Sequence, residues 1–392
     1  MERFASRVSA GPARAFPPHS PVTIAYDLRY ASDHFTGIGT HGYSLLEALL
    51  ALPGPERYAV LSNPGPKTRR FDFEALRRHP RVDWYERPWP PLGLASLWRV
   101  GGWLRELRPA VYLSPFYFMP IHPGCPCVLT LHDVWPLRLP GGLTFWPRTL
   151  YQLALARAVQ ARFILTSCEF SRREIGELAA VEPDQVRVVR LGIPPARGRI
   201  EPQRPTGAPE GPFALVIGIN KPHKNLATLA AAWGKLGPEP PLALVAAGPE
   251  DPRHPRLPML AARHHAEGVH ALGRVSEEEL EWLYRHATLV LFPTLYEGFG
   301  LPMVEAFAHG VPVVASDIPT LREVGEGAAR FVDPTHSAAW ADAVRELATD
   351  TDARQAMAAA GQARATELTY ERTALATLEV LREAAGSPRV AA

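Results

Sequence analysis

No run of about 18 consecutive apolar residues occurs anywhere in the chain, so no segment is expected to cross a bilayer as a helix. Cysteine is scarce. Cys125, Cys127 and Cys168 are too few to frame 392 residues with disulfides, and Cys-Pro-Cys lacks the second pair that would complete a zinc site. A reducing compartment is the simpler expectation. The first 20 residues, MERFASRVSAGPARAFPPHS, carry arginines but no apolar central region, and are expected to be a flexible extension over 1–20 and not a secretory signal. These features predict a cytoplasmic protein. Strong net charge is missing too: the formal value is +2, with 46% hydrophobic and 21% charged residues, so nothing demands nucleic acid as a partner. The charge is nevertheless uneven, with 24 Lys and Arg against 16 Asp and Glu through residue 198, and 18 against 24 beyond it. A basic first half suits an anionic membrane surface, an anionic substrate, or simply a solvated face.

The length exceeds one ordinary domain, so two are expected, each with its own core. Short apolar runs alternate with helix-like stretches, the pattern of parallel sheets with crossover helices. VTIAYD (22–27), YAVLS (58–62), AVYLS (110–114), CVLTL (127–131), FILTS (163–167) and VRVV (186–189) read as strands of the first half. FALVIGI (213–219), LALVAA (242–247), ATLVLFP (287–293), VPVVAS (311–316) and ARFVD (329–333) read as strands of the second. Between them the sequence is rich in Pro, Gly and Arg without apolar periodicity, which predicts a linker. The expected division is therefore a first Rossmann-like domain over 21–195, a linker over 196–212 and a second domain over 213–368. A C-terminal helix over 369–392 would fold back toward the first domain. Two doubly wound α/β domains imply a facing cleft, with ligands beyond the carboxyl ends of the strands.

Four segments stand at such ends. YEGFGLPMVEA (296–306) places Glu297 in a loop and Glu305 within the first turn or so of a helix opened by Pro302, while Gly298 and Gly300 let backbone N–H groups approach a ligand. Free amides and the positive end of the helix favour an anion such as a diphosphate. Two carboxylates would repel that anion unless they accept hydrogen bonds from its hydroxyls, and a nucleotide sugar supplies both phosphates and diols. INKPHKN (219–225) offers Lys224 and Lys221, either as cations for a leaving diphosphate or as surface lysines, with Asn225 placed to cap the next helix. In that helix Leu226, Leu229, Ala230 and Trp233 share one face. DHFTGIGTHGY (33–43) is glycine-rich and meets the dinucleotide fingerprint only loosely through Gly37, Gly39 and Gly42. His132-Asp133 follows the strand CVLTL, where a histidine serves either structure or catalysis.

With these segments in hand, the chain resembles glycosyltransferase family 4, the retaining GT-B enzymes, from about Pro21 to Ala385. The strongest part is residues 291–334, similar throughout to the family's E-x7-E region. TGIGTHGY (36–43), TLHDVWP (130–136), ILTSCEFSRREI (164–175), VIGINKPHKNL (216–226) and HALGRVSEEELEWLYRHA (270–287) support it in order. The resemblance implies a GT-B fold and roles for particular residues. Lys224 would bind the donor diphosphate, Glu305 the ribose hydroxyls, and Glu297 with Gly298, Phe299, Gly300 and Leu301 the transferred sugar and phosphates. Gly39 would let the first-domain loop approach the diphosphate, His132 would lie near the sugar, and Arg274 and Val275 would border the nucleobase. Many members carry an arginine early in the lysine loop. Here Ile219, Asn220 and His223 occupy it, and Lys221 is the substitute candidate.

The implied reaction moves a hexose from a nucleoside-diphosphate sugar to a hydroxyl of a glycan or lipid-linked saccharide with retention, without metal or other cofactor. Mannose from GDP-mannose is the expected donor, because the TGIG start and YEGFGLP core look most like enzymes of bacterial surface-polysaccharide synthesis. A nucleotide-sugar epimerase, a sugar phosphorylase, or an inactive nucleotide-sugar-binding scaffold are the alternatives on the same fold. Residues 84–109 combine Trp84, Trp89, Trp98 and Trp103 with several arginines. They suit either a membrane-interface helix, with peripheral attachment at the inner face of the cytoplasmic membrane, or a core-packing stripe.

Overall fold

The structure is a computed structural model that describes residues 23–32, 36–65, 70–91, 93–138, 145–179, 181–194 and 200–386. The extension expected over 1–20 lies outside these residues, as do 33–35 of the glycine-rich segment and 195–199 of the linker.

Seven strands form the first sheet: β1 (Thr23–Asp27), β2 (Arg57–Ser62), β3 (Val82–Glu86), β4 (Val111–Ser114), β5 (Cys127–Thr130), β6 (Phe163–Thr166) and β7 (Val186–Val188). Six form the second: β8 (Phe213–Ile217), β9 (Ala243–Ala247), β10 (Val269–Gly273), β11 (Leu289–Phe292), β12 (Val313–Ser316) and β13 (Arg330–Val332). Their orders are β3-β2-β1-β4-β5-β6-β7 and β10-β9-β8-β11-β12-β13. Every register given for either sheet is parallel. In both sheets the chain runs outward from the first strand, then returns to its other side, the doubly wound arrangement.

Two strands, β3 and β10, escaped the sequence analysis. Both are edge strands, and most of their residues are only partly buried. A strand that packs on one side carries polar residues such as Asp83, Glu86 and His270, so its apolar run is broken. The central strands are buried on both faces and read as the near-continuous apolar runs that were found. Along β8 alternate side chains enter opposite cores: Phe213 and Leu215 join Phe292, Met303 and Phe307, while Ala214 and Val216 join Leu229, Trp233 and Trp340. Trp233 and Trp340 are fully buried, each worth on the order of 4 kcal/mol of removed apolar area before its ordering entropy.

By its internal contacts the chain forms two compact units, Met1–Thr130 with Leu153–Ile164 and Thr377–Ala392, and Leu131–Gln152 with Leu165–Ala376. In the first unit, helix Leu94–Leu107 packs through Val100, Gly101, Trp103, Leu104 and Leu107; of a stripe through Leu97, Trp98, Gly101 and Leu104 only Gly101 and Leu104 are buried, Leu97 is half-buried, and Trp98 is 60% exposed beside Arg99. Gly101 is required there, because a Cβ would stand 1.8 Å from the Ile121 carbonyl oxygen. The glycine-rich segment after β1 is helix Thr36–Ala51, and Gly39 abuts the backbone of residues 30–32, where a Cβ would lie 2.7 Å from the Tyr30 carbonyl oxygen.

Candidate active site

The order of the second sheet reverses between β8 and β11, and the loops that leave these two strands are brought together at their carboxyl ends. Hydrogen bonds fasten them to each other. The His223 carbonyl accepts from the Leu295 amide at 2.7 Å and the Thr294 hydroxyl at 3.0 Å. Asn225 Nδ2 donates to the carbonyls of Pro293 (3.0 Å) and Pro334 (2.7 Å). Asn225 thus corrects the sequence expectation. It stands at the helix N-cap with φ 54°, but its side chain bonds neighbouring loops and no amide of its own helix.

This fastening places Lys224 against Glu297, and Lys224 Nζ forms an ion pair with Glu297 Oε1. Both side chains are mostly buried, 19% and 15% exposed, so solvent screens the pair weakly. Lys224 also lies 5.4 Å over the Phe292 ring, and its aliphatic stem passes the open side of Gly218. Lys221, three residues earlier, stands 5.8 Å over the Trp135 ring, which in turn lies 5.1 Å from the His223 ring. Lys221 has no ion-pair partner among the described residues. Asn220 is buried and bonds Asp251, His254 and Pro255, fixing the neighbouring loop.

Beyond Glu297 the chain turns through Gly298, Phe299 and Gly300 into helix Leu301–Ala308. Gly300 takes φ 97°, a left-handed conformation that glycine adopts without penalty. Among the described residues the N–H groups of 298–301 have no hydrogen-bond acceptor. The Gly298 carbonyl, by contrast, accepts from Ser167 Oγ at 2.8 Å, with Cys168 Sγ at 3.3 Å and Ser171 Oγ at 3.4 Å. Because a trans peptide points its C=O and N–H in opposite directions, this pins the Phe299 N–H away from those donors. Unpaired amides at a helix start are the donors that an anion can use. Gly298 is tightly enclosed as well: a Cβ there would meet Asp133 Oδ2 at 2.7 Å and the His132 carbonyl oxygen at 3.0 Å.

His132 and Asp133 therefore do join Glu297 and Gly298. Burial pushes the His132 imidazole down to about 4, and burial with the neighbouring Lys224 charge does the same to His223, so both are neutral at pH 7. Burial pushes the Asp133 carboxyl up to about 7; Glu297 and Glu174 raise it further, while the Trp135 amide and Lys224 oppose them. Glu174 is itself held by Arg138 Nε at 2.8 Å and by the Tyr296 hydroxyl. Unfolded, Asp133 would lose its proton near 3.8, so folding loses stability from this group as pH rises from about 4 to about 7. His132 and His223 act oppositely, costing stability as pH falls from 6.5 toward 4. Asp133→Asn is accordingly expected to stabilise the protein at pH 8 by on the order of 2 kcal/mol, with the gain shrinking toward pH 5. Thermal melts of both proteins at the two pH values check this, and an equal gain at both would refute it.

The side chains of Glu305, Arg274 and Val275 make no hydrogen bond or ion pair with these groups among the described residues. Glu305 is the fifth residue of helix Leu301–Ala308, in its second turn and not its first, and its Oε2 accepts from the Tyr284 hydroxyl at 2.7 Å. Arg274 and Val275 follow β10 directly. Arg274 is exposed without an ion-pair partner among the described residues, and Val275 packs on the sheet's core. Gly39 belongs to the first unit. Sequence reasoning passed over Trp135, Tyr284 and the Ser167–Cys168–Ser171 clamp on Gly298, although all lie inside segments it had singled out.

Two parallel sheets of doubly wound order are the fold of GT-B glycosyltransferases. Residues 35–197 match the family described as Glycosyltransferase Family 4, and residues 199–364 match Glycosyl transferases group 1. An O-antigen chain mannosyltransferase B of Escherichia coli is 30% identical over 290 residues, 70% of this chain and 74% of that one. An MMP alpha-(1->4)-mannosyltransferase of Mycolicibacterium hassiacum is 33% identical over 180 residues, 44% of this chain and 41% of that one. Among solved structures, Anabaena HepE in complex with UDP and glucose superposes with a TM-score of 0.66 at 17% identity, over 92% of this chain and 100% of that one. The chain belongs to glycosyltransferase family 4.

Proposed function

We propose that the protein transfers a hexose, mannose from GDP-mannose, to a hydroxyl of a glycan or lipid-linked saccharide, with retention of anomeric configuration and without a divalent metal. The observation that carries this is Lys224 beside Glu297 at the mouth of the unpaired amides of 298–301. The donor's diphosphate accepts from those amides, with Lys224 as its cation and Lys221 as a second. Glu305 takes the ribose hydroxyls. Glu297 takes hydroxyls of the hexose, and neutral His132 lies beside it. Mannose as the sugar follows the mannosyltransferases to which the chain is similar.

In the transfer step the bond from the anomeric carbon to the phosphate oxygen breaks, and the acceptor oxygen bonds to that carbon on the same face. The acceptor's proton passes to the departing phosphate. Negative charge grows on the phosphate in the transition state, so fixed N–H donors and Lys224 supply most where the barrier is highest. Thermal shifts with GDP, GDP-mannose, UDP, UDP-glucose and UDP-N-acetylglucosamine, each with EDTA, test the donor. Selective stabilisation by GDP and GDP-mannose is expected. Stabilisation by uridine nucleotides alone, or only after adding a divalent metal, would overturn the donor or the metal-free step respectively.

A further inference from the structure

The Tyr284 hydroxyl reaches Glu305 Oε2 from a neighbouring helix at 2.7 Å, with the Pro302 carbonyl oxygen a more distant acceptor at 3.4 Å. Tyr284 lies near the end of helix Glu277–His286, whose start is fixed by a capping box: Ser276 Oγ accepts from the Glu279 amide at 3.2 Å, and Glu279 Oε2 accepts from the Ser276 amide at 2.8 Å. The tyrosine is 2% exposed. The His309 ring stacks on it at 4.7 Å and 14°. That histidine is held in turn at both nitrogens, Nδ1 lying 2.7 Å from the Glu305 carbonyl and Nε2 3.0 Å from Glu281 Oε2. Glu281 also receives Arg285 Nε at 2.6 Å.

The carboxylate end of a glutamate turns broadly about its last torsion unless a partner fixes it. Here one oxygen, Oε2, is fixed, and Oε1 has no hydrogen-bond partner among the described residues. An ionised carboxylate offers about four acceptor sites. Tyr284 uses one, and the remainder can receive the two hydroxyls of a vicinal diol. Burial raises the Glu305 carboxyl above its ordinary value, and the Tyr284 hydrogen bond opposes that rise, which favours the ionised, doubly accepting form.

We infer that Tyr284 is a positioning residue for Glu305, fixing the carboxylate in the orientation that accepts the ribose 2′- and 3′-hydroxyls of the donor nucleotide. The inference rests on the proposed donor site, in which Glu305 anchors the ribose. A buried tyrosine that served only packing would be replaceable by phenylalanine with no preference for one nucleotide sugar ring over another.

Titration calorimetry with GDP and UDP, and with the 2′,3′-dideoxy analogue of each, separates these roles. Tyr284→Phe is expected to weaken the better-binding ribonucleotide about tenfold, as loss of a hydrogen bond to a charged group does. Its dideoxy analogue should bind the variant and the parent equally, which also shows that the variant is folded. In a Glu305→Gln background the same tyrosine change should cost nothing further. Equal losses for ribose and dideoxyribose ligands, or no loss for either, would overturn the positioning role. A Glu305→Gln protein that binds ribonucleotide as well as the parent would instead overturn the ribose anchor, as would failure of both GDP and UDP to bind the parent, and the inference would fall with it.

Discussion

Lys224→Ala is expected to lower donor turnover by about 10²-fold or more, the usual cost of removing one transition-state donor. The β8 and β11 loops hold the lysine against Glu297, next in sequence to the unpaired amides of 298–301, and in the proposed reaction it faces the charge of the departing phosphate. Its loss also leaves Glu297 without its ion-pair partner and removes a charge that holds the Asp133 carboxyl down, and the protein loses about 1–3 kcal/mol. Lys224→Arg separates the effects: it restores the charge and much of the stability, but a planar fork replaces a point charge, and turnover returns only in part. Steady-state rates and melts of both variants are the check. Near-normal turnover by Lys224→Ala would remove this residue from the chemistry.

Glu297→Gln should move two observables in opposite directions. Turnover falls about 10²-fold, because the hexose loses a charged acceptor for its hydroxyls. Nucleoside diphosphate binds about fivefold tighter, because without a ligand Glu297 is the anion that Lys224 pairs with, and removing it frees the lysine for phosphate. The same pairing would aid product departure in the parent, as the carboxylate retakes the lysine when the diphosphate leaves. Calorimetry with the nucleoside diphosphate and single-turnover rates read the two effects separately. Weaker diphosphate binding in Glu297→Gln would contradict the competition.

How much of this was legible in the sequence follows from what each residue packs against. The central strands announced themselves because both faces are buried, and the edge strands β7 and β13 because their short runs stay mostly apolar, whereas the edge strands β3 and β10 interrupt theirs with residues such as Asp83, Glu86 and His270. Lys224, Glu297 and Glu305 were found because strand-end loops before a helix have a recognisable composition, and because the E-x7-E region is specific. The pairings were not found, since they join distant segments: Tyr284 lies 21 residues from Glu305, and Lys224 lies 73 from Glu297. Asn225 looked like a helix cap by type and position, yet its Nδ2 donates to the Pro293 and Pro334 carbonyls and its Oδ1 accepts from the Thr228 hydroxyl at 2.9 Å in place of a helix amide. Gly39 illustrates a glycine with a packing reason visible only in three dimensions, the Tyr30 carbonyl.

The most direct test of the account is transfer itself. Radiolabelled GDP-mannose is given to the parent and to Lys224→Ala, in EDTA, with a bacterial lipid-linked saccharide fraction as acceptor. The account predicts that label enters the acceptor fraction as an acid-labile glycoside with the donor's anomeric configuration, and does so at least about 10²-fold more slowly with the variant. Label recovered only as free or epimerised sugar, or transferred equally by both proteins, would contradict it.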